Sequence, residues 1–435
     1  MAAHSEVHER KVKGKKSNSQ KASAINTISS TVTEHNKDEP KVGGDNSPEK
    51  HDSNNVQQSI KKRASGKEKT NKGTSSLFTS FCSKMKYVLL LIFIPPFLNF
   101  ASLQREAVDL KPAGELYDIG WGQKLLLSCQ GKGPPTVLLD APTGMNSDVW
   151  TLVVAKLAEH ANVCVYDRAG LGFSDRPMNR SVAKEDTNII LMEQSNHFTV
   201  ERMVDDLHKL ISESSQQPRP LILVGAELGA LIAQFYTHVY ESDVLGLVLI
   251  NPLNEDLFQQ SDKAWVQHWF GSLNPTYQTL QLGAALGITR LGLLIGALKQ
   301  PITGDFVPDE VILRQKYLLC HPRHLSSIVD EHHFINESFS QMRTLRKIKP
   351  LASHISVSVL TGNYYDEQMP SALNKAWARA EQNLLSKLPP YVQHLVVNGA
   401  DRHIMYRKPE SIAETVLKLI RKWKRTNTFS DSRNA

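Results

Sequence analysis

The chain has 435 residues, with 51 Lys/Arg against 44 Asp/Glu, a formal net charge of +7 and four cysteines. Seventeen of those Lys/Arg and nine of the Asp/Glu fall within residues 1–86, so the rest of the chain is close to neutral. A basic tail of that kind, with no zinc spacing and no aromatic-and-basic RNA motif elsewhere, excludes a nucleic-acid-binding domain.

Residues 1–86 are rich in Lys, Ser, Asn, Glu and Gln with almost no aromatics. Such a segment buries too little apolar surface to offset the entropy of ordering, and the composition predicts disorder. Residues 87–104, "YVLLLIFIPPFLNFASLQ", carry no charge and just reach the length needed to cross a bilayer core. Lys61, Lys62, Arg63, Lys84 and Lys86 precede them, and Glu106 and Asp109 follow Arg105. The positive-inside bias predicts a single-pass protein with a cytoplasmic N-terminus and a lumenal or extracellular domain. Pro95 and Pro96 allow a rival reading, an interrupted segment lying in the interface or packing on the domain. The sequons Asn179-Arg180-Ser181 and Asn336-Glu337-Ser338 permit a lumenal glycoprotein. Cys82, Cys129, Cys164 and Cys320 are too scattered for a disulfide framework. Cys129 and Cys164 lie in apolar strand-like runs and are expected as buried thiols.

Residues 105–425 read as one α/β domain, with a flexible tail expected at 426–435. "QKLLLSCQ" and "TVLLDAP" are strand-like, "VWTLVVAKLAEH" has helical period, and "NVCVYDRAGLGFSD" is a buried strand opening into a glycine-rich loop. "TVERMVDDLHKLISE" is an amphipathic helix. Then come "PLILVGAE", a helix, "VLGLVLINP", a helical insert at about 254–349, "ISVSVLTGNYYD", another helix, "YVQHLVVNGADRH" and a last basic helix. Short continuous apolar runs alternating with helices predict a mostly parallel sheet covered on both faces.

Taken in this order, the chain resembles the α/β-hydrolase superfamily from about Glu115 to Lys424. The resemblance rests on the Asp167–Ser174 loop, the "VGAELGA" turn, the cap insert, an acid turn and a late histidine. It implies an α/β-hydrolase fold in which Ser174 helps to build its turn. Gly225, Gly229 and Ala230 supply the small residues that a sharp strand-to-helix elbow demands. The resemblance also implies that Glu227 stands at the nucleophile position, His403 at the base position and Asp366, in preference to Glu367, at the acid position. Asp401 belongs to the histidine loop. The oxyanion loop would be drawn from Leu228 and either Pro142, which has no N–H to give, or Thr143.

The family's nucleophile is usually serine, and in its dehalogenases and epoxide hydrolases aspartate. Glutamate is one methylene longer, and Leu228 follows where those aspartate enzymes favour tryptophan. A charged Glu227 about 4 Å from a forming oxyanion would oppose acyl transfer by roughly 4 kcal/mol at an effective dielectric near 20. With the serine gone, Glu227 and a protonated His403 are expected to pair, backed by Asp366.

The insert "DKAWVQHWFGSL…LQLGAALGITRLGLLIGALKQP" is expected to cap an apolar ligand site, to pack as ordinary helices, or to dip into a membrane surface. His321, His324, His332 and His333 form no compact metal set and are expected to face water. No motif implies a cofactor or a metal. Three functional classes follow. One is a membrane-anchored, catalytically impaired hydrolase relative binding an apolar small molecule or a protein partner. Another is an active hydrolase of esters, epoxides or related bonds, using Glu227 or an unrecognised nucleophile with His403. The last is a structural or adhesive module.

Overall fold

The computed structural model describes residues 73–177, 198–258, 263–304, 306–362, 369–387 and 391–434. Residues 1–72 of the tail predicted to be disordered, the sequon at Asn179 and the acid candidates Asp366 and Glu367 therefore lie outside the described residues, while residues 73–86 of that tail are helical. Eight strands form one sheet: β1 (Glu115–Asp118), β2 (Lys124–Gln130), β3 (Thr136–Asp140), β4 (Asn162–Tyr166), β5 (Leu221–Ala226), β6 (Val244–Ile250), β7 (Ser356–Gly362) and β8 (Gln393–Val397). Their order is β1-β2-β4-β3-β5-β6-β7-β8. β1 and β2 pair antiparallel with their neighbours, and every pairing from β4 to β8 is parallel.

The helices are α1 (Gly73–Asp109), α2 (Thr151–Leu157), α3 (Val200–Ser214), α4 (Leu228–Val239), six cap helices, α11 (Ser371–Lys387), α12 (Ile404–Arg407) and α13 (Pro409–Asn434). The cap follows β6 and comprises α5 (Lys263–His268), α6 (Asn274–Ala285), α7 (Ile288–Leu294), α8 (Asp309–Leu319), α9 (Pro322–His333) and α10 (Ile335–Ile348). α13 runs past Thr426, where the sequence reading ends the domain.

Continuous apolar strands follow from burial on both faces, because successive side chains point to opposite sides. In β5, Leu221 and Leu223 join the core under α3, α4 and α10, while Ile222 and Val224 join the core under α2, α12 and α13. All four are fully buried, and each contributes about 1.5–3 kcal/mol relative to exposure.

Two expectations change here. Cys129 and Cys164 are a disulfide, not separate thiols. The antiparallel register of β2 on β4 sets them directly opposite each other, which an apolar run alone does not reveal. His324 and His332 are buried instead of facing water. The cap helix α9 is covered on two sides: the His324 ring nitrogen Nδ1 accepts from the Gly172 N–H at 3.1 Å, and the His332 ring lies against Trp269 and Tyr277. Burial lowers their pKa values to about 3 and about 4. His333 is exposed, as is Asn336 at the start of α10.

Pro95 and Pro96 lie inside α1 without ending it. The stretch Lys84–Asp109 is long and apolar enough to cross a membrane.

Candidate active site

The last residue of β5 and the first of α4 are separated by Glu227 alone, which has φ 49° and ψ −110°. A side chain rarely adopts that conformation, and the strain persists only where the surroundings fix it. Backbone bonds do so on one side, from the Glu227 N–H to the Ile250 carbonyl at 3.1 Å. Close approach does so on the other. A Cβ on Gly225 would lie 2.2 Å from the Gly229 carbonyl oxygen, and one on Gly229 would lie 2.5 Å from that of Asp140. Ala230 is fully buried. The elbow is thus built from the small residues that the sequence singled out.

Part of the Glu227 surface still meets solvent, yet the protein around its carboxyl desolvates it enough to raise its pKa. Arg402 is the leading opposing influence, followed by the backbone N–H and hydroxyl of Thr143 and then Arg168. Arg402 is thus the foremost cation acting on Glu227. His403 follows β8 and starts α12; its ring stacks on Tyr406 with centroids 5.4 Å apart. The His403 backbone N–H donates to the Asp401 carboxylate at 2.8 Å, and Asp401 also pairs with Arg407, so Asp401 builds the histidine loop.

Arg402 acts well beyond Glu227. Its charge also bears on His268, Tyr277, His332 and Tyr406. Burial raises the Tyr277 phenol, and Glu227 contributes to that rise. The Arg402 carbonyl accepts from Asn251 Nδ2 at 3.1 Å, fixing the loop beside the end of β6.

The loop after β3 is held from below. Arg168 donates to the Asp140 carboxylate at 2.6 Å, to the Ala141 carbonyl at 2.7 Å and to the Pro142 carbonyl at 2.8 Å. Glu331 of α9 accepts from Arg168 and from the Gly144 N–H at 2.7 Å. Tyr166 donates to the other Asp140 oxygen at 2.7 Å. Burial would lower the Arg168 pKa, but Glu331 and Asp140 raise it. Pro142 thus contributes a carbonyl to this clamp, and Thr143 is the member of the pair that faces Glu227. Thr143 itself is buried. Leu228 is buried at the start of α4, where its backbone N–H sits at the positive end of the helix. The Ser174 hydroxyl donates to the Asp167 carbonyl at 2.7 Å and accepts from the Leu126 N–H at 2.9 Å, which ties it into its own turn.

Sequence reasoning missed Arg402, Tyr277 and the pairing of Arg168 with Glu331. Arg402 adjoins the histidine and Arg168 lies in the family-like loop, so both were within sight. Tyr277 and Glu331 come from the cap, and only the fold brings them to the elbow. Among the described residues, no group of His, Cys, Asp and Glu is arranged to hold a metal ion.

A family model for the alpha/beta hydrolase fold matches residues 135–291. The chain is 27% identical over 140 residues to a Hormonema carpetanum protein named "Probable transporter efuK", covering 32% of this chain and 18% of that one. It is 26% identical over 123 residues to the uncharacterized protein YqjL of Bacillus subtilis (strain 168), covering 28% of this chain and 42% of that one. The matched stretch thus spans less than half the length of either relative. A thermophilic esterase from Thermogutta terrifontis, solved with malate bound, is 19% identical with a TM-score of 0.46, covering 72% of this chain and 99% of that one. The strand order, the strained turn between β5 and α4 and the family match over residues 135–291 give this chain the α/β-hydrolase fold.

Proposed function

We propose that this chain is a membrane-anchored α/β-hydrolase-fold protein whose elbow does not attack, and which binds an apolar small molecule beneath its cap. The observation that carries the reading is the company Glu227 keeps. Thr143 and Arg402, the donor and the cation best placed to stabilise a reaction oxyanion, act on the protein's own carboxyl. If Glu227 is protonated, it is a poor nucleophile; if ionised, it opposes the charge that acyl transfer must develop. Trp265, Trp269 and Phe258 form an aromatic cluster in the same core as Leu223 of the elbow strand and Leu228, an apolar environment on the cap side. The apolar helix α1 supports the anchor.

Fluorophosphonate labelling of the full chain in detergent tests the reading. The wild-type chain is expected to stay unlabelled, and Glu227→Ser is expected to take the label on the new hydroxyl. A covalent adduct trapped on Glu227 of the wild-type chain during turnover of an ester or epoxide would overturn it. Failure of both chains to label would show that the oxyanion loop is disabled as well as the nucleophile.

A further inference from the structure

α1 presents two different faces. Pro95, Pro96, Asn99, Ser102, Leu103 and Glu106 recur at helical spacing on a covered side, while Phe93, Phe97 and Phe100 stand exposed on the other. The covered side docks on the cap. Asn99 Nδ2 donates to the carbonyls of Ala284 at 2.9 Å and Cys320 at 3.1 Å, and its Oδ1 accepts from Arg290 Nε at 2.9 Å. Arg290 also forks onto Glu106, at 2.6 and 2.7 Å. A Cβ on Gly287 would lie 2.3 Å from the Pro95 carbonyl oxygen, so the turn between α6 and α7 rests directly on the proline pair.

This docking fixes the level of α7 relative to α1. From Leu282 to Leu298 the only charged residue is Arg290, and its charge is met by Glu106. Thr289 is buried and its hydroxyl donates to the Leu280 carbonyl. The outward residues of the same stretch are Leu282, Leu286, Ile288, Leu291, Leu294 and Ile295, all exposed. Polar groups paired inward and apolar side chains outward are the arrangement a hydrocarbon solvent requires, and the reverse of a water-facing cap. Length points the same way. Tyr87–Leu98, ahead of the docked Asn99, rise only about 18 Å as helix, short of a hydrocarbon layer of roughly 30 Å. Placing Phe97 and Phe100 in that layer carries Leu286, Ile288 and Leu291 into it as well.

We propose that the α6–α7 hairpin and the outer face of α1 form one continuous surface embedded in the acyl chains of a bilayer. The cap is then a membrane-immersed element, and the elbow beneath it lies next to lipid. This rests on the reading of α1 as a membrane anchor.

The test reconstitutes the full chain into phosphatidylcholine vesicles carrying a diazirine in the lipid acyl chain, followed by photolysis and peptide mapping. Adducts are expected on α1 and, several-fold above the level on α3 or α13, on Leu282–Leu298. Adducts on α1 alone would overturn the proposal and leave the anchor standing. Adducts on neither would overturn both. Labelling of the hairpin only by a headgroup-borne diazirine, or crosslinks joining Leu282–Leu298 of two copies, would also overturn it.

Discussion

The Arg168 guanidinium grips both carboxylate oxygens of Glu331, at 2.7 and 2.9 Å, and so ties cap helix α9 to the loop after β3. Arg168 and Glu331 are almost wholly inaccessible to solvent, as is Asp140 on the other side of the guanidinium. Removing one partner from such a cluster leaves buried charge uncompensated.

Arg168→Met is therefore expected to destabilise the chain by about 3–5 kcal/mol in urea unfolding. The triple change Arg168→Met, Glu331→Gln, Asp140→Asn removes the stranded charges and is expected to recover part of that loss. Equal losses in the single and triple variants would show that the clamp works by shape and not by charge.

Glu227 gives a pH signature. Burial raises its pKa above the ordinary 4.5, against the opposing pull of Arg402 and Thr143. The folded chain thus holds that proton more tightly than the unfolded chain. The resulting stability is complete below pH 4.5 and is lost as pH climbs through the raised value. Glu227→Gln keeps the shape and cannot ionise. Its stability relative to the wild-type chain is expected to grow as pH climbs from 4.5 through the raised value and then to level off. Paired unfolding curves across that range check this, and a difference that stays flat with pH would contradict it.

The Cys129–Cys164 bond closes a loop with a sequence separation of 35. Replacing both cysteines by serine is expected to cost about 2–4 kcal/mol of stability. Thiol reductant should lower the unfolding midpoint of the wild-type chain and leave the double variant unchanged. Alkylation of both cysteines in the unreduced, denatured protein would refute the bond.

The parts of this molecule that the sequence made legible are those governed by short-range rules. The β5 run and the helix after it follow from apolar periodicity, and Gly225 and Gly229 mark the elbow because a larger residue has no room there. Pairings between distant elements were not legible. Cys129 meets Cys164 only because β2 runs antiparallel to β4. Arg168 reaches Glu331 across 163 residues, and Arg402 acts on Glu227 from the loop after β8. His324 and His332 read as surface residues on a polar helix, until the cap closed over them. Asp366 lies outside the described residues, and its place beside His403 stays an expectation.

The docking of Asn99 between two carbonyls of the cap has a practical consequence for how the protein is made. α1 is not a detachable tether, since Leu103 packs with Tyr317, Leu318 and Cys320 and Glu106 neutralises Arg290. A shortened version starting after Asp109 would bare that apolar seam and strand the guanidinium. Expression trials should therefore keep the helix and supply detergent, or replace the seam by design.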